Sequence, residues 1–103
     1  MVNSRQKGKR GELEIVHIVK AAGFDARRGQ QFSGGGDSPD VVWPFPLHPE
    51  VKFVESLHLY KAYEQAVRDA DTKEPCVIHR KKKTKWLVTL DFNYFLDMLK
   101  RLN

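Results

Sequence analysis

The chain has 103 residues, 41% of them apolar, and 18 lysines and arginines against 13 aspartates and glutamates give it a formal charge of +5. That is enough for one domain with one modest core, and the apolar share argues against wholesale disorder. No apolar run approaches the roughly 20 residues of a membrane span, and the single cysteine, Cys76, excludes an internal disulfide.

The positive charge is unevenly spread. Arg5, Lys7, Lys9 and Arg10 form one cluster, Arg27 and Arg28 a second, and Arg80, Lys81, Lys82, Lys83 and Lys85 a third. Such an excess favours a polyanionic partner. No apolar segment follows the basic stretch Met1 to Arg10 in the manner of a secretory leader. The sequence therefore predicts a cytoplasmic protein without a membrane role, built as a single domain over residues 1–103, with residues 1–8 as a flexible basic arm.

Residues 9–22 read as the first helix, ended by Gly23. Glu12, Ile15, Val16 and Val19 follow the i, i+3, i+4, i+7 spacing, so a carboxylate heads the buried stripe while Glu14 falls on a different side. A first-turn glutamate favoured by the helix dipole is the plainer explanation of Glu12. Residues 24–28 form a first strand. The loop that follows contains Ser33-Gly34-Gly35-Gly36-Asp37. It lacks the spacing and the following helix of a nucleotide-phosphate loop. It is either a flexible connector or a segment whose glycines allow close approach to DNA, with Asp37 as a solvated loop residue.

Strands two and three cover residues 39–43 and 49–54. Pro44, Pro46 and Pro49 keep their link short and irregular, and His48 in that link reads as an exposed loop residue. Side chains alternate along a strand, so Glu50 and Lys52 share one face while Val51 and Phe53 take the other. Two anions and a cation would then meet on adjacent strands, a costly cluster without water or a metal.

A second helix spans 57–72, with Leu59, Ala62, Tyr63, Ala66 and Ala70 as its apolar stripe and Pro75 beyond it. Cys76 to His79 is a strand in which Cys76 reads as a core residue. Residues 80–85 are a basic turn whose tip, Lys81-Lys82-Lys83, is most simply solvated. Residues 86–90 are the last strand, and Asp91 caps a helix over 92–102. Phe92, Phe95, Leu96, Leu99 and Leu102 fill one face of that helix, with Tyr94 and Met98 off it. The second apolar side belongs either to a wide core-facing surface or to a subunit interface. His17 and His79 receive no functional role. The order αβββαββα predicts an α/β domain, a mixed five-stranded sheet flanked by helices.

Glu12, Pro39-Asp40 and Glu50-Val51-Lys52 together resemble the PD-(D/E)xK nuclease superfamily, which has a restriction-endonuclease-like core. The first half resembles archaeal-type Holliday-junction resolvases more closely. Lys7-Gly8, Glu12, Gly23-Phe24, Arg28, Ser33-Gly34-Gly35, Pro39-Asp40 and Glu50-Val51-Lys52 carry that resemblance. The second half departs from it: Tyr63-Glu64-Gln65-Ala66 and the strand from Trp86 to Leu90 look more like small phage-type and other general nucleases, and a phage-encoded member would work in the host cytoplasm.

The resemblance implies catalytic roles for Glu12, Asp40, Glu50 and Lys52, and metal ligation by Asp40, Glu50 and the Val51 carbonyl, with Glu12 completing a second position or holding a metal-bound water. One or two metals both fit. Hard Mg²⁺ suits these oxygens, and Mn²⁺ would substitute. Lys52 as a base would have to be neutral, which the adjoining carboxylates oppose, so a positioning and electrostatic role is expected. Arg28, with Arg27, Lys7, Lys9 and Arg10, is expected on the DNA backbone, with Ser33 adding a hydroxyl and Gln65 facing the site. The expected activity is paired cutting of four-way junctions by a homodimer. Another structure-specific or nonspecific nuclease, or a non-enzymatic basic DNA-binding module, are the alternatives.

Overall fold

The computed structural model describes residues 4–29 and 39–102, and the side chains of residues 6–29 and 39–102. The elements run α1 (Ser4–Ala21), β1 (Arg27–Arg28), β2 (Val41–Val42), β3 (Leu47–Phe53), α2 (Leu59–Asp69), β4 (Glu74–Arg80), β5 (Leu87–Leu90) and α3 (Phe92–Arg101).

α1 starts several residues earlier than the sequence suggests, so residues 4–8 are helical rather than part of a flexible arm. Lys7 supplies the reason. Its ammonium lies 4.8 Å from the centroid of the Phe53 ring and 3.3 Å from Glu55 Oε2, which ties the first turns to the sheet. Gly23 ends the helix with φ +99°, and Phe24 N–H donates back to the Val19 carbonyl at 3.2 Å, closing the exposed carbonyls of the last turn.

The expected five-stranded sheet is divided among the described residues. β1 and β2 form an antiparallel pair, and β3, β4 and β5 form a separate sheet in which β3 and β4 are parallel and β4 and β5 antiparallel. Two groups on β3 explain the break. Pro49 has no N–H to offer, and the Val51 N–H, on the same edge two residues on, donates to the Asp40 carboxylate at 2.8 Å. A side chain thus stands where a β2 carbonyl would continue the ladder. Pro49 is consequently tolerated inside a strand that the sequence starts only at residue 49.

The three-stranded sheet lies between two helices. Val51, Cys76 and Ile78 pack with Ile15 and Val16 of α1, while Val77 packs with Ala62 and Ala66 of α2. α1 comes close because residue 11 is glycine. A Cβ there would stand 3.2 Å from Phe53 Cβ and 3.3 Å from the Trp86 ring. On the flank of α1, Glu14 accepts hydrogen bonds from Arg80 at 2.9 Å, Arg10 at 3.0 Å and the Trp86 indole at 3.1 Å. Burial works against the charge on Glu14, but these donors outweigh it and hold the carboxyl below its usual range. Arg80 also covers the Phe53 ring at 4.0 Å and belongs to β4, not to the basic turn.

α2 ends at Asp69, short of residue 72, because Asp71 turns into a left-handed backbone, φ 53°. Its stripe is as expected, with Ala62, Ala66 and Ala70 buried. α3 differs in orientation. Asp91 caps it, accepting from Tyr94 N–H at 2.9 Å, but no residue of the helix is buried. Tyr94 and Met98, the latter still 37% exposed, line an apolar groove of about 600 Å³ together with residues of α1 and β5. The face carrying Phe92, Phe95, Leu96, Leu99 and Leu102, expected against the core, is the one left exposed. Cys76 is fully buried, and burial foremost pushes its thiol up to about 12, so it is a packing residue.

Candidate active site

Strand alternation puts His48, Glu50 and Lys52 on the α2 side of β3, opposite Val51 and Phe53. Lys52 Nζ stands 3.7 Å from Glu50 Oε1 and donates to the Gln65 amide oxygen at 3.3 Å, so α2 holds the lysine over the glutamate. Asp40 sits just before β2, where the Val51 N–H holds its carboxylate and its own carbonyl accepts from Gly29 N–H at 3.0 Å. These bonds bring Asp40 to the edge of β3 beside Glu50.

Asp40 and Glu50 are 8% and 6% exposed. Burial is the chief cause that lifts both. It pushes Glu50 up to about 7, with the Asp40 charge adding and Lys52 opposing. It pushes Asp40 up to about 6, against the Val51 N–H and with the Glu12 charge adding. Two buried carboxylates that resist ionisation are a donor set suited to a cation, which would relieve both desolvation and mutual repulsion.

Glu12 reaches Asp40 electrostatically, but its carboxylate is tied up: Arg28 Nε donates to Oε1 at 2.9 Å. Arg28, expected on a phosphate, is thus held by the helix glutamate while remaining partly exposed. Of the other basic residues, Lys7 and Arg10 are engaged with Glu55 and Glu14, and Lys9 and Arg27 are exposed. Gln65, expected to face the site, accepts from Lys52 Nζ at 3.3 Å. Ser33, the glycine run and Asp37 lie outside the described residues.

The sequence reading missed three features. His48 is not an exposed loop residue but is 3% exposed on β3, and Nε2 has no hydrogen-bond partner among the described residues. Asp69 ends α2 close by. One imidazole nitrogen of His48, a Glu50 oxygen and an Asp69 oxygen all lie within 4.8 Å of one another. Burial keeps the imidazole below its usual range despite Asp69, so it is a neutral potential ligand near pH 7. Finally, Lys61 and Arg68 line a cleft of about 390 Å³ together with Lys52 and Gln65. Their spacing, 61, 65 and 68, is a helical stripe that was visible in the sequence.

No protein-family model matches the chain, and no curated protein matches it. Among solved structures, the Holliday junction resolvase Hjc of Archaeoglobus fulgidus, an archaeal hyperthermophile, aligns over 82% of this chain and 72% of its own with a TM-score of 0.59 and 27% identity. The chain resembles an archaeal Holliday junction resolvase. The mixed α/β architecture, with three helices and two small sheets among the described residues, is consistent with an Hjc-like nuclease fold. That likeness extends well beyond the first half of the chain, where the quoted motifs lie.

Proposed function

We propose that this chain is a metal-dependent endodeoxyribonuclease that cuts branched DNA, with the four-way junction as its principal substrate and a homodimer as its working form. The observation that carries the reading is the contact of Asp40 with the Val51 peptide, which sets two buried carboxylates and a lysine side by side at a strand edge. The likeness to the archaeal resolvase supports the substrate class.

Asp40, Glu50 and the Val51 carbonyl would hold Mg²⁺ or Mn²⁺ through oxygen, with Glu12 beside them on α1. When bound, the ion polarises the phosphoryl group and acidifies a water. Glu50 and Asp40 must give up their protons to bind it, so binding is weakened below about pH 7 and pH 6, respectively. Lys52 presents its ammonium where charge grows on the phosphoryl oxygens, and Gln65 fixes its direction. Lys61 and Arg68 extend the positive surface along the cleft and would bind the strand's phosphates, joined by Arg27, Arg28, Lys9 and, in a supporting role, Lys7, Arg10 and Ser33. Reading by backbone and shape follows.

The dimer is supported by α3. A row of phenylalanines and leucines exposed along one helix is unusual for a monomer. An isologous contact through it would present two sites to a two-fold junction. The test is a cleavage panel of four-way junction, flap, nicked and plain duplex. Preferential paired cuts in the junction support the proposal. Equal cutting of all four would assign the chain to a nonspecific nuclease of the same superfamily, and binding without cutting to a DNA-binding module.

A further inference from the structure

We propose that His48, Glu50 and Asp69 form a second divalent-ion site on the α2 side of β3, selective for a transition ion such as Mn²⁺ over Mg²⁺, with Glu50 shared between it and the Asp40 position. The convergence of the three residues stands by itself, and only the sharing of Glu50 with the Asp40 position rests on the proposed nuclease reading.

Three ligand atoms from two elements converge within 4.8 Å. Ligands around an ion at bond lengths of about 2.0–2.2 Å stand roughly 3–4 Å apart, so side-chain contraction by about 1–2 Å completes the set. Two of the residues lie on one face of β3, the third on the last turn of α2, so an ion would clasp the helix to the strand. The buried Nε2 of His48 has no partner among the described residues, a loss that a core position tolerates poorly. A plain packing histidine would be expected to find a carbonyl or hydroxyl, as His79 does with Thr89 Oγ1 at 2.9 Å. Lys52 competes for Glu50, its Nζ 3.7 Å from Oε1. It does not contact Asp69 or His48 through any hydrogen bond or ion pair described for it.

The donor set determines the selectivity. Mg²⁺ binds oxygen and keeps its waters, whereas one imidazole with two carboxylates favours first-row transition ions, with affinity rising from Mn²⁺ to Cu²⁺ and falling back at Zn²⁺. The Asp40 position offers oxygen only, so the two positions are distinguishable by ion.

The experiment is Mn²⁺ and Mg²⁺ titration of the full chain by calorimetry, with electron spin-echo spectroscopy of the bound Mn²⁺, on wild type, Asp40→Asn, His48→Asn and Asp69→Asn. The proposal expects imidazole-nitrogen modulation of the Mn²⁺ signal in wild type and Asp40→Asn. It expects loss of that modulation in His48→Asn, and a fall of about tenfold or more in Mn²⁺ affinity at this site in Asp69→Asn. Absence of nitrogen modulation from Mn²⁺-loaded wild type overturns it without any variant having to fold. So does Mn²⁺ binding that Asp40→Asn abolishes and Asp69→Asn leaves unchanged. The first result leaves the proposed nuclease reading standing and the second supports it, so failure of this site is distinguishable from failure of that reading.

Discussion

The backbone N–H of Val51 donates to Asp40 Oδ2 at 2.8 Å, and this bond takes the place of sheet pairing between β2 and β3. The carboxylate therefore has a structural duty besides the chemical one proposed for it. Asn at position 40 keeps an acceptor oxygen but not the charge, whereas Ala leaves a buried N–H unsatisfied. Asp40→Asn is expected to fold normally while cleavage falls by about 10³ or more. Asp40→Ala should lose cleavage and roughly 1–3 kcal/mol of stability as well. Urea unfolding beside a cleavage assay separates the two effects.

Glu50 gives the chain an unusual pH response. Its carboxyl goes from 4.5 to about 7 on folding, and Asp40 goes from 3.8 to about 6. The folded state holds these protons more tightly than the unfolded state, so their contribution is fully present below about pH 4 and is lost as pH rises toward 7. The loss is on the order of 3 kcal/mol for either group taken singly. In the metal-free protein Glu50→Gln should raise the melting temperature at pH 8, by the equivalent of roughly 1–3 kcal/mol, and change little at pH 4. The same substitution should abolish cleavage. Thermal melts in chelator across pH 4–8 check the first part, and a variant less stable than wild type at pH 8 would contradict it.

Lys52 lies between Glu50 and Gln65, at 3.7 and 3.3 Å. If its ammonium stabilises charge on the phosphoryl group, Lys52→Ala lowers the single-turnover cleavage rate on the order of 10²–10⁴. Gln65→Leu, which only releases the lysine, lowers it by about tenfold. Both should leave the junction dissociation constant within about threefold, since the other cleft cations remain. Rapid-quench kinetics with gel-shift binding distinguish a rate effect from a binding effect.

Leu99 is 42% exposed in the middle of the apolar face of α3. Leu99→Glu should convert a dimer into a monomer in sedimentation velocity without changing the helical circular dichroism, because no residue of α3 is buried within the chain. Cleavage of a junction should then pass from paired cuts to single nicks. A wild-type protein that sediments as a monomer at micromolar concentration would remove the dimer from the account.

Much of the proposed site could be read from residue order because strand alternation is short-range. Glu50 and Lys52 had to share a face, and the Pro39-Asp40 segment fell close enough to meet them. The same rule would have included His48, but the strand begins at Leu47, two residues before the position that Pro49 suggests. A proline marks an unpaired edge as readily as a strand start. Asp69 was readable by the logic applied to Glu12, since it lies three residues beyond buried Ala66 on the stripe of α2. The arrangement of α3 was not readable. Periodicity shows which of its residues share an apolar face, but not which face has a partner, and here Tyr94 and Met98, not the larger row, line the groove beside α1 and β5. The division of the sheet was equally hidden, because it depends on one side chain displacing a ladder bond between segments distant in sequence.

The central claim is that Asp40 and Glu50 hold a divalent ion against a DNA strand. Single-turnover cleavage of a labelled four-way junction by wild type and Asp40→Asn, in Mg²⁺, in Mn²⁺ and in chelator, tests it most directly. Cutting by wild type in either ion, with none in chelator and a loss of about 10³ or more in Asp40→Asn, is the predicted result. Wild-type protein that binds the junction yet leaves it intact in both ions, or that cuts it equally well in chelator, would contradict the claim.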